Sequence, residues 1–282
     1  MKPKVIAIVG PTASGKTKLA IDLAKQIDGE IISADSRYVY KGFDIASAKP
    51  TMDEREGIPH HLIDIVEPEI DYSVADFYDD ARDKIYEILE RGKTPIVAGG
   101  TGLYFRVLLE TYALPRVEAN PELRAELDLR EKEDLLEELK LLDPVSYEKI
   151  KKANKRRIVR ALEVTKVLGK PFSEASVEKE PEFDVDWRIP YIESREVLYD
   201  RINKRVDIMV EQGIIEETQR LLEKHGRIKN FICTIGYQEI LTYLDGEASL
   251  EEALDKLKQH TRNYAKRQLT WFRRNPALKI DY

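Results

Sequence analysis

Apolar positions in the N-terminal third of the chain follow two spacings in turn. Residues 5–9 form a short continuous apolar run ending in Gly10-Pro11, and residues 16–27 place Leu19, Leu23 and Ile27 at helical spacing. The chain is therefore predicted to open as strand, glycine-rich turn and helix. Residues 30–34 read as a second strand ending at Asp35, and residues 61–66 as a third. Ser73, with Asp76 three positions on, is a capping-box start for a helix running to about Arg91. Residues 95–98 are a fourth strand that runs into Gly99-Gly100-Thr101-Gly102. Strands alternating with helices predict an α/β fold, a parallel sheet covered on both faces.

After about Tyr112 the pattern changes. Residues 121–142 are almost entirely Glu, Lys, Arg, Asp and Leu and predict helix throughout, and strand-like alternation returns only at 184–192, with a strand at 187–192. Residues 113–186 are accordingly expected to form an all-helical insertion domain, leaving by a polar, proline-containing stretch at 172–186, within a core domain of residues 1–112 and 187–282. Ser194 opens a further helix, another spans 214–224, and Ser249 with Glu252 caps a long final one.

At 282 residues the chain can bury a substantial core. No stretch approaches the roughly 18 apolar residues of a spanning helix, and the N-terminus enters a strand at once instead of a signal sequence. A single cysteine, Cys233, excludes an internal disulfide and a cysteine-rich zinc site. These features point to the cytoplasm and to no membrane partner. Cys233 itself reads as a small buried residue, and the adjacent His60 and His61 as structural.

Charge alters the picture. The formal net charge of −6 argues weakly against a polyanionic partner, but residues 149–170 carry +8 and residues 256–274 carry +7, leaving −21 on the remainder. An acidic body bearing two basic segments is what a polyanion-binding protein looks like, although two solvated helix faces would give the same numbers. In the first segment Arg157 and Arg160 share a helix face. In the last helix Leu250, Leu254, Leu257, Tyr264 and Phe272 lie near one stripe, with Lys258, Arg262, Lys266 and Arg273 roughly opposite. Tyr264, Trp271 and Phe272 read as packing residues.

Candidate chemistry starts at Gly10-Pro11-Thr12-Ala13-Ser14-Gly15-Lys16-Thr17, a complete phosphate-loop pattern between a strand and a helix. Its backbone N–H groups wrap a diphosphate, Lys16 reaches the outer phosphate, and the Thr17 hydroxyl can ligate a phosphate-bound Mg2+. Phosphoryl-transfer enzymes of this class usually place an acid at a strand end to hold the metal, but residues 95–98 run straight into glycines. The strand-end acid is instead Asp35, which either faces a ligand crevice as a proton or hydrogen-bond acceptor or caps a turn with Ser36. Thr101 can donate to a phosphate oxygen or serve as a helix N-cap.

These motifs occur in order with Asp35-Ser36-Arg37-Tyr38-Val39-Tyr40, Ala48-Lys49-Pro50-Thr51, Gly99 to Tyr104, Arg157 to Glu163, Gly169-Lys170-Pro171, Ile235 to Glu239 and Ala265 to Trp271. As an ordered set covering nearly the whole chain they resemble the tRNA dimethylallyltransferase, or tRNA isopentenyltransferase, family, in its bacterial form without a zinc-finger-like extension. The resemblance implies a P-loop NTPase-like core that grips dimethylallyl diphosphate in place of ATP. It implies transfer of the dimethylallyl group to N6 of the adenosine 3′-adjacent to the anticodon, with Mg2+ held through Thr17. Asp35 would be the base, Thr101 a donor to the departing oxygen, and Lys16 and Arg160 further catalytic groups that stabilise the leaving diphosphate. The tRNA anticodon stem-loop, its target base extruded into a channel, would meet Asp35, Ser36, Arg37, Tyr38, Thr101, Arg156, Arg157, Arg160, Lys258, Arg262, Lys266 and Arg267. Many members carry glutamine at the positions of Tyr38 and Arg156, and here Tyr38 could stack on a base. A monomer is expected. Three other readings compete: a prenyltransferase of free adenine nucleotides, a small-molecule kinase and a non-catalytic RNA-binding protein.

Overall fold

The computed structural model describes residues 2–112, 115, 117–175, 179–278 and 280. The chain forms two compact units, Met1–Leu109 with Glu182–Tyr282 and, between them in sequence, Glu110–Pro181. The second unit starts three residues before the anticipated 113 and ends five before the anticipated 186.

The first unit is built on five parallel strands, β1 (Lys4–Val9), β2 (Gly29–Ala34), β3 (His60–His61), β4 (Thr94–Gly99) and β5 (Asp184–Arg188), in the order β3-β2-β4-β1-β5. Side chains alternate along each strand, and both faces are apolar because both are covered. On one face Ile8, Ile31 and Ile96 pack against Ala20, Ile21 and Ala24 of α1 (Lys16–Ile27). On the other, Val5, Ala7, Ile32 and Val97 meet Phe77, Ala81 and Ile85 of α2 (Val74–Glu90) and Phe105 and Leu108 of α3 (Gly102–Leu109). The box at the start of α2 closes as predicted: Ser73 Oγ accepts from the Asp76 amide while the Asp76 carboxylate accepts from the Ser73 amide.

Register places the site. Val9 and Ala34 both pair with Gly99, so the chain leaving β1, β2 and β4 reaches one carboxyl edge carrying Gly10 onward, Asp35 and Thr101.

Three elements differ from expectation. The third strand is two residues long because Leu62 and Asp64 take left-handed backbone (φ 59° and 57°), leaving only an isolated bridge from Tyr40 to Val66. The last strand begins at Asp184 and is over before Pro190, which has no N–H for the ladder. The continuous helix expected over 121–142 is two, α4 (Pro121–Leu129) and α5 (Lys132–Leu142), separated by Arg130 and Glu131 in extended backbone. The break gathers Leu127, Leu135 and Leu139 into the core of the second unit with Ile158 and Leu162 of α7 (Lys155–Leu168), and α6 (Pro144–Ile150) and α8 (Phe172–Ala175) complete that unit.

The first unit continues with α9 (Arg195–Glu211), α10 (Ile214–His225), α11 (Lys229–Ile232), α12 (Tyr237–Leu244) and α13 (Leu250–Phe272). Ser194 caps α9 and Ser249 caps α13, as expected. Among the described residues no helix is long and apolar enough to cross a membrane.

Candidate active site

The loop between β1 and α1 is shaped by glycine. Gly15 sits at φ 89° as the residue before α1, with no side chain satisfying the helix's first amides, so those amides are available to an anion. Lys16 Nζ donates to the Pro11 carbonyl at 2.6 Å, curling over the loop. Arg205, from α9, donates to Thr12 Oγ at 3.2 Å. Burial first, and the Arg205 cation second, lower the Lys16 ammonium to about pKa 7 against the opposing pull of Asp35. Two cations crowded beside free amides constitute a site built for a multiply charged anion.

Asp35 stands at the end of β2 with its carboxylate accepting from the Arg37 amide at 2.9 Å. Burial raises its pKa, against that hydrogen bond and the nearby Lys16 charge. Thr101 directly precedes α3, where its carbonyl accepts from the Tyr104 amide, while its Oγ accepts from the Ser36 amide at 3.1 Å. The glycines around it are packing requirements. A Cβ on Gly99 would overlap the Ala34 backbone, one on Gly100 the Gln268 amide, and one on Gly102 the Trp271 indole.

Loop residues 12–17, Asp35, Ser36 and Arg205 line one cavity of about 1300 Å³ whose lining comes wholly from the first unit, and Thr101 stands beside it, bonded to the Ser36 amide. Lys16, Asp35, Arg37, Tyr38, Arg205 and Tyr264 contribute polar surface, and Ile31, Ile63, Ala98 and Met209 an apolar wall. Ser14 Oγ and Ser33 Oγ, both buried in that lining, have no protein partner, as expected of hydroxyls that a ligand or water satisfies. Tyr38 donates to the Ala48 carbonyl at 2.7 Å, which engages its hydroxyl and leaves the ring to face the cavity. Thr17 lines the same space. Among the described residues no group of three His, Cys, Asp or Glu gathers to hold a metal by itself.

Several predicted residues are otherwise engaged. Arg160 pairs with the buried Glu163 at 2.6 Å and donates to the Val117 carbonyl, while Arg156 and Arg157 are exposed on α7. The Arg157–Arg160 pair is thus split between a solvated and a bonded guanidinium, because Glu163, three residues after Arg160, lies on the same helix face about one turn on. Lys258 pairs with Asp207 at 2.7 Å and Arg262 bonds Asn203, both on α9; Lys266 and Arg267 are exposed. Two packing assignments are corrected. Tyr264 lines the cavity, and Cys233, expected to be buried, is exposed at the cavity lining; Phe272 is in the core as expected.

Sequence reasoning missed Arg205 and Gln268. Arg205 lies far along the chain in an otherwise ordinary charged helix, and nothing local marks it. Gln268 was within a recognised motif, and its one signal was a polar side chain on the stripe that α13 buries.

A model of the family described as IPP transferase matches residues 38–275. The tRNA dimethylallyltransferase of Anoxybacillus flavithermus is 47% identical over 97% of this chain and 88% of its own length. That of Carboxydothermus hydrogenoformans is 47% identical over 99% and 92%. Among solved structures, the full-length tRNA isopentenylpyrophosphate transferase of Bacillus halodurans superposes with a TM-score of 0.72 at 43% identity, covering 100% of this chain and 92% of that one. A eukaryotic dimethylallyltransferase acting on tRNA gives 0.84 at 32% identity, covering 96% and 70%.

Proposed function

The chain belongs to the IPP transferase family and its reaction is transfer of a dimethylallyl group to tRNA; we propose that the donor is dimethylallyl diphosphate and the acceptor N6 of the adenosine 3′-adjacent to the anticodon. The observation that carries this finer reading is the convergence of Lys16, Arg205 and Asp35 on one cavity that also has an apolar wall, with Thr101 held beside it through the Ser36 amide.

The loop amides, Lys16 and Arg205 hold the diphosphate, and the five-carbon group lies against the apolar wall. The adenine nitrogen attacks the allylic carbon; the new C–N bond forms as the C–O bond to diphosphate breaks. An amine proton passes to Asp35, whose burial makes it a stronger base than a solvated carboxylate, and from there to water. The departing charge is met by cations and dipoles already in place, with Thr101 donating to the leaving oxygen. The residues fit a magnesium ion that enters with its phosphates, since such an ion keeps most of its waters and needs few protein ligands. Thr17 would hold it, and it would supply charge neutralisation.

Exposed Arg156 and Arg157 on the helical unit, and Lys266 and Arg267 on α13, supply cations for the anticodon stem-loop, with the Tyr38 ring facing the extruded base. Arg160 is assigned to holding Glu163. The reading takes the protein as a monomer acting in the cytoplasm, where tRNA is found.

Incubation with radiolabelled dimethylallyl diphosphate and either unmodified tRNA or AMP tests the reading. Label should enter tRNA only, at the anticodon-adjacent adenosine, and label entering AMP instead would refute it. Asp35→Asn should lower kcat by about 10²–10⁴-fold with tRNA affinity held, and near-normal turnover would remove Asp35 as the base.

A further inference from the structure

Among the described residues of α13, Gln268 is the one polar side chain the helix buries. Its Oε1 accepts from the Thr12 amide at 2.8 Å and its Nε2 donates to the Gly100 carbonyl at 3.0 Å. Those backbone groups belong to the diphosphate loop after β1 and to the turn after β4 that carries Thr101, so a single planar amide spans both. Its orientation is fixed by chemistry. A flipped amide would set oxygen against the Gly100 carbonyl and N–H against the Thr12 N–H, losing both bonds at once. Gly100 is matched to it, since a Cβ there would overlap Nε2. On the same helix Tyr264, one turn back, and Arg267 line the cavity.

We propose that Gln268 is a positioning residue for prenyl transfer: its amide fixes the Thr12 end of the diphosphate loop against the turn that carries Thr101. Loop amides and Thr101 hydroxyl are thereby aimed at one leaving diphosphate, and the helix that offers Lys266 and Arg267 to tRNA is braced on the donor site by the same group. The inference rests on the reaction proposed above and adds a residue to it. Preorganised donors act without rearranging during the reaction, so loosening their common support costs both donor binding and turnover.

The test is a kinetic cycle of Gln268→Ala, Gly100→Ala and the double variant, with melting temperature recorded for each. Gln268→Ala is expected to raise KM for dimethylallyl diphosphate and lower kcat, for a combined loss on the order of 10²-fold, while tRNA affinity by filter binding stays within about twofold. Gly100→Ala should give the same phenotype, because its methyl group displaces the amide, and the double variant should be no worse than either single one. Gln268→Glu keeps the bond from Thr12 but faces a carboxylate against the Gly100 carbonyl, so it should raise donor KM most. Losses that multiply in the double variant, wild-type kcat and donor KM in Gln268→Ala, or losses that only follow the folded fraction would each overturn the proposal. If the wild-type protein transfers no label to tRNA, it is the reaction that fails. Calorimetric binding of dimethylallyl diphosphate then still decides the brace, weaker binding by Gln268→Ala supporting it and equal binding refuting it.

Discussion

Lys16 and Asp35 are shifted toward each other by the same surroundings. Burial pushes the ammonium down to about 7 and the carboxyl up, and the Arg205 cation adds to the first effect. An empty site with these groups holds Lys16 charged only part of the time at neutral pH. A diphosphate favours the charged form, so binding above about pH 7 must take up a proton at Lys16. The sign follows: donor affinity is greatest below pH 7 and weakens as pH rises through it, by up to about tenfold per unit until the bound-state pKa is reached. Lys16→Arg remains charged throughout and removes that dependence, leaving the donor's own titration. Calorimetry of dimethylallyl diphosphate across this range, without tRNA, should show a steeper profile and proton uptake for the wild type. Superimposable profiles for the two proteins would rule out Lys16 as the titrating group.

At the scale of the element, α13 shows how a basic stripe divides into charges that are used and charges that are free. Lys258 and Arg262 point at Asp207 and Asn203 of α9, while Lys266 and Arg267 are exposed, the latter over the Tyr264 ring at 5.7 Å. Only free cations release counterions on meeting a phosphate backbone. Lys266→Gln with Arg267→Gln should therefore weaken tRNA binding and lower the slope of log Kd against log salt by about two, whereas Lys258→Gln should leave the slope in place. Filter binding over a salt series reads both, and equal slopes for all three proteins would take α13 out of the interface. The helix itself was legible: Ser249 with Glu252 marked its start and the leucines its buried face. The division of its charges was not, because it depends on α9, which lies far away in sequence. The same limit explains the glycine turn after β4, readable as a turn next to a ligand but not as the seat of Gln268 and Trp271. It also explains the third strand, whose left-handed Leu62 and Asp64 carry no local signal. The phosphate loop and Asp35 were readable as crevice-facing positions because strand-loop-helix order and strand ends are local; Arg205 and Gln268 join the same cavity lining only in three dimensions.

Across the whole molecule the two basic segments fall in different units, residues 149–170 in the helical one and 256–274 in the sheet-based one, so each unit carries its own cations. Each also has its own core. Leu127, Leu135, Leu139, Ile158 and Leu162 are fully buried among residues of the helical unit, and the cavity proposed above for the donor is lined only from the other. A small helical unit with one modest core is marginal in stability, and truncating a central leucine there costs about 2–5 kcal/mol. Leu135→Ala should therefore loosen the helical unit selectively. Amide exchange would accelerate across α4 to α7, tRNA affinity would fall with the loss of an ordered Arg156 and Arg157, and calorimetric donor affinity would stay within about twofold of wild type. If donor binding fell in step with tRNA binding, or exchange accelerated equally in α1 and α13, the units would be unfolding as one body. The division of labour between a donor-binding sheet and a tRNA-binding helical insertion would then have to be abandoned.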